Sequence, residues 1–420
     1  MKKLCSLFLF LFFLVGLSFI EAQTYNIVIK GGHVIDAKNN INGVMDVAVK
    51  DGKIAKIAKD INAKDAVQVV DAKGKYVTPG LIDIHTHVFY GNHPDQYLMD
   101  ATSAVVPDGF TFRSGVTTVV DAGSSGWRTF PLFKEQTIDR SQTRVLAFLN
   151  IVGAGMRGGA YEQDINDMDP KMAAMVAKEY KDYIVGFKLA HYAAEEWTPV
   201  DRVVEAGTIA NLPVMIDFGG DDSHAPLSIE ELFFKHLRPG DIYTHTFTEL
   251  KRRDPIVDLK TRKLKPFVPE AQKRGIVFDV GFGGASFDFR QAVPALKSGF
   301  YPNSISTDLH TGSMNAAMKS MLNIMSFFLT MNMSLSDVIK ASTWNPAQEI
   351  KHEELGNLSV GSVADIAVLN LREGNFGYWD RMGYKLKSKQ RLECEMTIRD
   401  GKIVYDLNGI ADTEVIENGE

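Results

Sequence analysis

Between residues 81 and 342, short apolar runs alternate with longer stretches of helical pattern. The runs are 81–88, 117–123, 145–151, 184–190, 213–219, 241–247, 276–282 and 304–310. Segments 169–181, 199–210 and 314–333 carry apolar residues at helical spacing. Strands separated by helices run parallel, and eight such units over about 250 residues close into a (β/α)8 TIM barrel of the α/β class. The flanks read differently. Residues 24–77 alternate in short bursts around the turn signals Asp51-Gly52 and Lys73-Gly74, which predicts a small antiparallel β module. The pattern returns after Pro346, and Asp400-Gly401 followed by Lys-Ile repeats the Asp51-Gly52 turn. The flanks are expected to pair into one small β-sandwich domain built from both termini. The expected division is a signal peptide at 1–22, sandwich at 23–77, barrel at 78–345, and the rest of the sandwich with an acidic tail at 346–420.

In such a barrel, chemistry collects at the C-terminal ends of the strands. The first run ends in His85-Thr86-His87. Alternate residues of a strand share a face, so these two imidazoles can grip one divalent cation; the bland alternative is a polar strand end. The fourth run carries Lys188, the fifth Asp217, the sixth His245 and the eighth Asp308, each toward the C-terminal end of its run. A buried ammonium is costly and its pKa falls. The neutral amine can take up CO2 as a carbamate whose two oxygens bridge two metal ions. The alternative for Lys188 is a salt bridge to Asp217 or Asp308. Two divalent cations balance a carbamate, Asp217, Asp308 and a bridging hydroxide, with His85, His87 and His245 neutral. Zinc suits these nitrogen and oxygen ligands, with manganese and iron as alternatives. Bridged metals acidify the water between them and polarise a carbonyl. Asp308 is placed to take that water's proton and deliver it to the leaving group.

The chain has 420 residues, a net charge of −6 and no basic run, which argues against a nucleic-acid partner. Lys2-Lys3 precede an apolar run over 7–20. The run is shorter than the roughly 20 residues a spanning helix needs, so it reads as an export signal cleaved after Ala22, with an uncleaved anchor as the alternative. A periplasmic or secreted protein with no membrane anchor after signal removal is expected. Of the two cysteines only Cys394 would then remain, which excludes an internal disulfide.

These residues resemble the amidohydrolase superfamily of metal-dependent hydrolases. The resemblance is carried by Pro79-Gly80-Leu-Ile-Asp-Ile-His85-Thr-His87, Lys188, His245, Asp308, Asn345-Pro346-Ala347 and Gly356-Asn-Leu-Ser-Val-Gly361-Ser-Val-Ala-Asp365. Within the superfamily the chain is most similar to the dihydroorotase-like amidohydrolase/deacetylase group, through Ser306-Thr-Asp-Leu-His310, Phe278-Asp-Val-Gly281, Leu371-Arg-Glu-Gly374 and Met396-Thr-Ile-Arg-Asp-Gly401. The resemblance implies a distorted barrel with a β-sandwich, hydrolysis of an amide or ester, and Lys188 as the bridging N6-carboxylysine. Two positions depart from the pattern. Asp217 stands where the family usually has a strand-five histidine, which either swaps a neutral ligand for an anionic one or leaves a single-metal site with Asp217 behind it; Phe282 stands where relatives often carry a histidine, turning a polar substrate contact apolar.

Further candidates lie around the same rim. Asp121 ends the second run, as a functional group or a loop organiser. Arg157, in a glycine-rich loop, suits a substrate carboxylate. His191 and His224 are candidates to replace the strand-five histidine, and His310 to bind substrate or support the base. Gly281, Gly283 and Gly284 allow close approach and lack the lysine and helix start of a phosphate cradle. The expected function is hydrolysis of an acyl C–N or C–O bond in a small molecule by metal-activated hydroxide, deacetylation ahead of cyclic-amide opening. Nucleobase deamination and a non-catalytic binding or assembly role are the alternatives, and a homo-oligomer is left open.

Overall fold

The computed structural model describes residues 24–90, 103–217, 219 and 225–412. The signal segment, His224 and the acidic end from 413 lie outside the described residues. Strands β1 (Tyr25–Asp36), β2 (Ile41–Lys50), β3 (Lys53–Ala58), β4 (Ala66–Asp71) and β5 (Tyr76–Pro79) come first. Then follow β6 (Leu81–Thr86), β7 (Val116–Gly126), β8 (Arg144–Asn150), β9 (Ile184–Ala190), β10 (Val214–Asp217), β11 (Ile242–Tyr243) and β12 (Val277–Phe278). Strands β13 (Ile366–Trp379), β14 (Lys385–Arg399) and β15 (Lys402–Asp406) close the chain.

The two ends share one eight-stranded sheet, ordered β15-β14-β13-β5-β1-β2-β3 with β4 on β1. The first five strands are a mixed module rather than the antiparallel one expected, because β1 runs parallel to both β4 and β5. The cause is a bulge at Gly31-Gly32. It bends β1 so that its first half takes β4 and its second half takes β5. A Cβ on Gly32 would stand 2.4 Å from Val77 Cγ2, so the bend needs a glycine. Ile27, Ile29, Val47 and Val49 from one end pack in one cluster with Ile366, Val368, Met396 and Ile398 from the other.

The second sheet is parallel, ordered β12-β11-β10-β9-β8-β7-β6. It curls round a cluster fed by Ile82, Ile84, Val120, Leu146, Phe148, Met215 and Ile242. The eighth run, 304–310, is not a regular strand. It is an extended segment bridged parallel to Asp279 through Ser304 and to Thr86 through Leu309, so it joins the last strand to the first. Carboxylates compete for its polar groups: Asp279 accepts from the Ser304 and Ser306 hydroxyls, and Asp83 from Thr307.

Helices Pro170–Glu179 and Thr198–Ala210 lie where the pattern placed them. Asp169 caps the first by accepting from Lys171 N and Met172 N. The stretch 314–333 differs from expectation: the helix is Met321–Thr330, capped by Ser320, after a break at Lys319 with φ 60°. Helix Trp344–Glu349 lies under the curled sheet, with Ala347 and Ile350 in its central cluster.

That helix ends in Glu349, whose Oε2 is buried without a partner among the described residues. Burial pushes its carboxyl up to about 8, the charge of Asp279 adding and a hydrogen bond from Ser304 opposing. The folded value lies above the ordinary 4.5, so folding takes up a proton. The associated stability is therefore whole below about pH 4 and is lost as pH rises toward 8. Glu349→Gln is expected to flatten this part of the stability profile. Denaturant unfolding from pH 5 to 9 checks it, and parallel curves for the variant and the parent would contradict it.

Candidate metal centre

Strand β6 delivers His85 and His87 to the rim. Asp83 fixes their backbone, accepting from His85 N at 3.3 Å, Thr307 N at 3.0 Å and Thr307 Oγ1 at 2.5 Å. His87 N donates to Leu309 O at 2.9 Å. These bonds lace the first strand to the segment that carries Asp308. Burial pushes the Asp83 carboxyl up to about 7, against the Thr307 and His85 hydrogen bonds.

The ring nitrogens can be assigned from their partners. Thr244 Oγ1 donates to Asp279 Oδ2 at 2.7 Å, so its lone pair accepts from His85 Nδ1 at 2.8 Å. His245 Nδ1 stands 2.5 Å from Gly281 O, a carbonyl that can only accept. In both rings Nδ1 holds the proton and Nε2 keeps a free lone pair. His87 Nδ1 contacts Ser124 Oγ at 3.1 Å, which directs its Nε2 the same way. Burial pushes His85 down to about 3, with the charge of Lys188 adding to it, so this ring is neutral as ligation requires.

The inward atoms form two overlapping groups, His85–His87–Asp308 and His85–Asp217–His245, with ligand atoms within 4.8 Å of one another in each. Asp308 Oδ1 lies 3.1 Å from His87 Nε2 and 3.8 Å from His85 Nε2. Asp217 Oδ2 lies 3.1 Å from His245 Nε2. Lys188 Nζ, fully buried, is 3.1 Å from His85 Nε2 and 3.8 Å from Asp217 Oδ2, so it adjoins both groups without a tight salt bridge. Burial lowers its pKa, against the pull of Asp217 and Asp308. Imidazoles beside carboxylates fit a divalent metal ion.

Backbone strain aims these groups. His245 has φ 56° and Asp308 φ 52°, left-handed values that cost a non-glycine residue about 1–3 kcal/mol. Glycine supplies the room, as the sequence led us to expect. A Cβ on Gly281 would stand 2.3 Å from Thr244 Oγ1, one on Gly283 2.5 Å from Asp308 Oδ2, and one on Gly123 2.6 Å from Lys188 Cγ. Burial opposes ionisation of Asp308, but His85 and hydrogen bonds with His310 and His87 hold its carboxyl well below the usual range.

The secondary candidates separate. His191 Nδ1 pairs with Glu162 Oε2 at 3.0 Å, and its Nε2 is 3.7 Å from Asp217 Oδ2, at the edge of the second group. His310 Nδ1 donates to Asp308 O at 2.7 Å and lies 3.4 Å from its Oδ1. Arg157 stacks 4.3 Å over the Tyr161 ring, in a loop anchored by Gly158 N on Glu162 Oε1. Asp121 is a loop organiser: its oxygens accept from Val88 N, Phe89 N and Ser124 N. Phe282 does not line the mouth. It is 1% exposed, stacked on Phe287 at 4.4 Å and edge-on to Phe327. Sequence reasoning passed over two residues. Asp279 had the same signal as the ligands, a lone acid inside an apolar run. Arg253 had none; it sits in the loop after β11 and donates to Asp217 Oδ1. It adds one positive charge to a sum expected to be zero.

Segments 68–128 and 256–404 match the amidohydrolase family. A deacetylase of Brucella anthropi is 34% identical over 341 residues, covering 80% of this chain and 81% of that protein. The chain belongs to the amidohydrolase superfamily. A deacetylase of Agrobacterium fabrum is 32% identical over 350 residues, 82% of each chain. Among solved structures, an adenine deaminase superposes with a TM-score of 0.80 at 26% identity, covering 91% of this chain and 100% of that one. A dihydroorotase gives 0.78 at 29%, covering 90% and 97%. This amidohydrolase is accordingly a metal-dependent hydrolase acting on carbon–nitrogen bonds.

Two outcomes are expected. Gly123→Ala should cost about 2–4 kcal/mol and displace Lys188. Thermal unfolding and zinc content read both effects, and a variant as stable and as loaded as the parent would contradict it. Asp279→Asn weakens the acceptor that sets Thr244 and through it His85, so zinc affinity should fall roughly 10–100-fold. Competition against a chromophoric chelator measures this; unchanged affinity would deny Asp279 that role.

Proposed function

We propose that this chain is a deacetylase: it hydrolyses an acyl amide or ester of a small molecule at a two-metal centre held by His85, His87, Lys188, Asp217, His245 and Asp308. The observation that carries the reading is the pair of ligand groups sharing His85, with Lys188 Nζ adjoining both. Bound there, zinc ions would act as Lewis acids on the substrate carbonyl and lower the pKa of a water. Lys188 contributes in its carboxylated form. Its amine forms a bond to the carbon of CO2 and loses a proton, leaving a carbamate with two oxygens to share. The lowered pKa of this buried amine supports that step.

Asp308 is the catalytic residue. Its carboxylate, held ionised, accepts the proton of the attacking water and passes it to the departing nitrogen or oxygen. His310 steadies it from 3.4 Å. Arg157, His191 and His310 are read as substrate-binding groups. The two deacetylase relatives favour acyl transfer to water over the alternatives, while the deaminase and dihydroorotase likenesses keep adenine and cyclic amides in the test. We further read the curled sheet with 304–310 as a distorted (β/α)8 barrel over 78–345. The terminal sheet is read as a β-sandwich from 23–77 and 346–420, and segment 1–22 as an export signal.

Zinc-loaded protein is to be screened against N-acetyl and O-acetyl compounds, cyclic amides and adenine, with acid or ammonia release as readouts. Turnover of acetylated compounds is expected; turnover of adenine or cyclic amides alone would replace deacetylation by that activity. Asp308→Asn should lower kcat roughly 1,000-fold with the fold intact. Lys188→Arg, which cannot be carboxylated, should lose at least one bound zinc. An intact-mass spectrum without CO2 on the native lysine would count against the carbamate.

A further inference from the structure

Arg253 is a buried cation outside the ligand set. Its side chain keeps 6% of its surface exposed, and its Nη2 donates to Asp217 Oδ1. Its Nε and Nη1 have no partner among the described residues. The chain makes deliberate room for it: a Cβ on Gly219 would stand 2.4 Å from Arg253 Cγ. Asp217 is thereby divided. Oδ1 goes to the guanidinium, while Oδ2 faces His245 Nε2 at 3.1 Å, His191 Nε2 at 3.7 Å and Lys188 Nζ at 3.8 Å. A desolvated guanidinium with idle N–H groups is unfavourable by itself. It persists beside a buried carboxylate because leaving either charge alone would be worse.

We propose that Arg253 is a positioning residue that cancels the charge of Asp217 and holds its Oδ1, so that the pair presents the centre with one oxygen ligand and no net charge. This rests on the two-metal reading above. On that reading the ligating anions left uncompensated are the carbamate, Asp308 and a shared hydroxide, and this ligand set leaves two dications net positive. A consequence is specific to charge. Asp217→His alone substitutes a neutral ring but leaves the guanidinium unopposed next to the cations, where repulsion in a partly dry site is strong. Deleting the guanidinium as well restores a neutral ligand with nothing to repel.

The test is zinc content per chain of the full-length protein, equilibrated with buffered zinc. The wild type is expected to hold about two ions, Asp217→His about one, and Asp217→His with Arg253→Met about two again. In the native background, Arg253→Met should lower kcat roughly tenfold or more, and Arg253→Lys should keep most of it. If Arg253 merely props up its loop, Arg253→Met lowers zinc content in both backgrounds, and that result overturns the proposal. Circular dichroism and melting curves accompany each variant. Where Arg253→Met fails to fold, Arg253→Gln replaces it, and a folded double variant that stays at one ion also overturns the proposal. A wild type holding a single ion would bring down the two-metal reading. The proposal is then decided by zinc Kd, which must run tight, weak and tight across the same three proteins.

Discussion

Charge buried at the end of an apolar sheet is the constraint that organises this molecule. His85 and Lys188 have no exposed surface and Asp217 only 2%, yet they meet within a few ångströms. Water cannot soften their fields, so each group needs a local answer. Burial keeps the His85 ring neutral, and His85 and His245 commit their Nδ1 protons outward. Asp217 answers with Arg253, and Asp308 with His87 and His310. A site assembled this way has no relaxed state without its electrostatic partners, which is the condition under which a dication is held firmly and a carboxylate stays ionised.

A second layer sets the angles. Asp279 receives three hydroxyls, from Thr244, Ser304 and Ser306, and through Thr244 it fixes the His85 tautomer. Asp83 ties the backbone of His85 to Thr307, one residue before Asp308. Between them these two acids couple β6, the end of β11 and the segment 304–310. The left-handed backbones of His245 and Asp308 are tolerated because that layer, with glycines packed against it, leaves the chain no cheaper path.

The terminal sheet serves the same end from below. Strand β5 pairs with β13 and runs almost directly into β6, with Gly80 N donating to Asp365 O at 2.8 Å. Asp365 also takes the Arg144 guanidinium from β8. A Cβ on Gly80 would stand 2.3 Å from Thr117 Oγ1, so the turn into the first ligand strand is pressed against its neighbour. Residues almost three hundred positions apart thus fix where His85 and His87 begin.

Much of this was legible in the chain. An ionisable residue toward the end of a buried strand is costly unless that residue is used, so His85, His87, Lys188, Asp217, His245 and Asp308, each toward the end of its run, announced a polar rim. Helices Pro170–Glu179 and Thr198–Ala210 followed from apolar spacing, because that is a local signal. What spacing could not decide was anything settled by partners distant in sequence. The parallel pairing of β1 with β4 and β5 came from a glycine bulge and a crossover. The eighth run stayed irregular because carboxylates elsewhere took its hydrogen bonds. Phe282 turned into an aromatic cluster that no periodicity signals. Arg253 lies in a loop with no pattern at all, and only the folded chain brings its guanidinium to Asp217. The sequence determined which groups had to be buried together; the tertiary structure decided which of them neutralise one another, since that depends on distances that only the curled sheet creates.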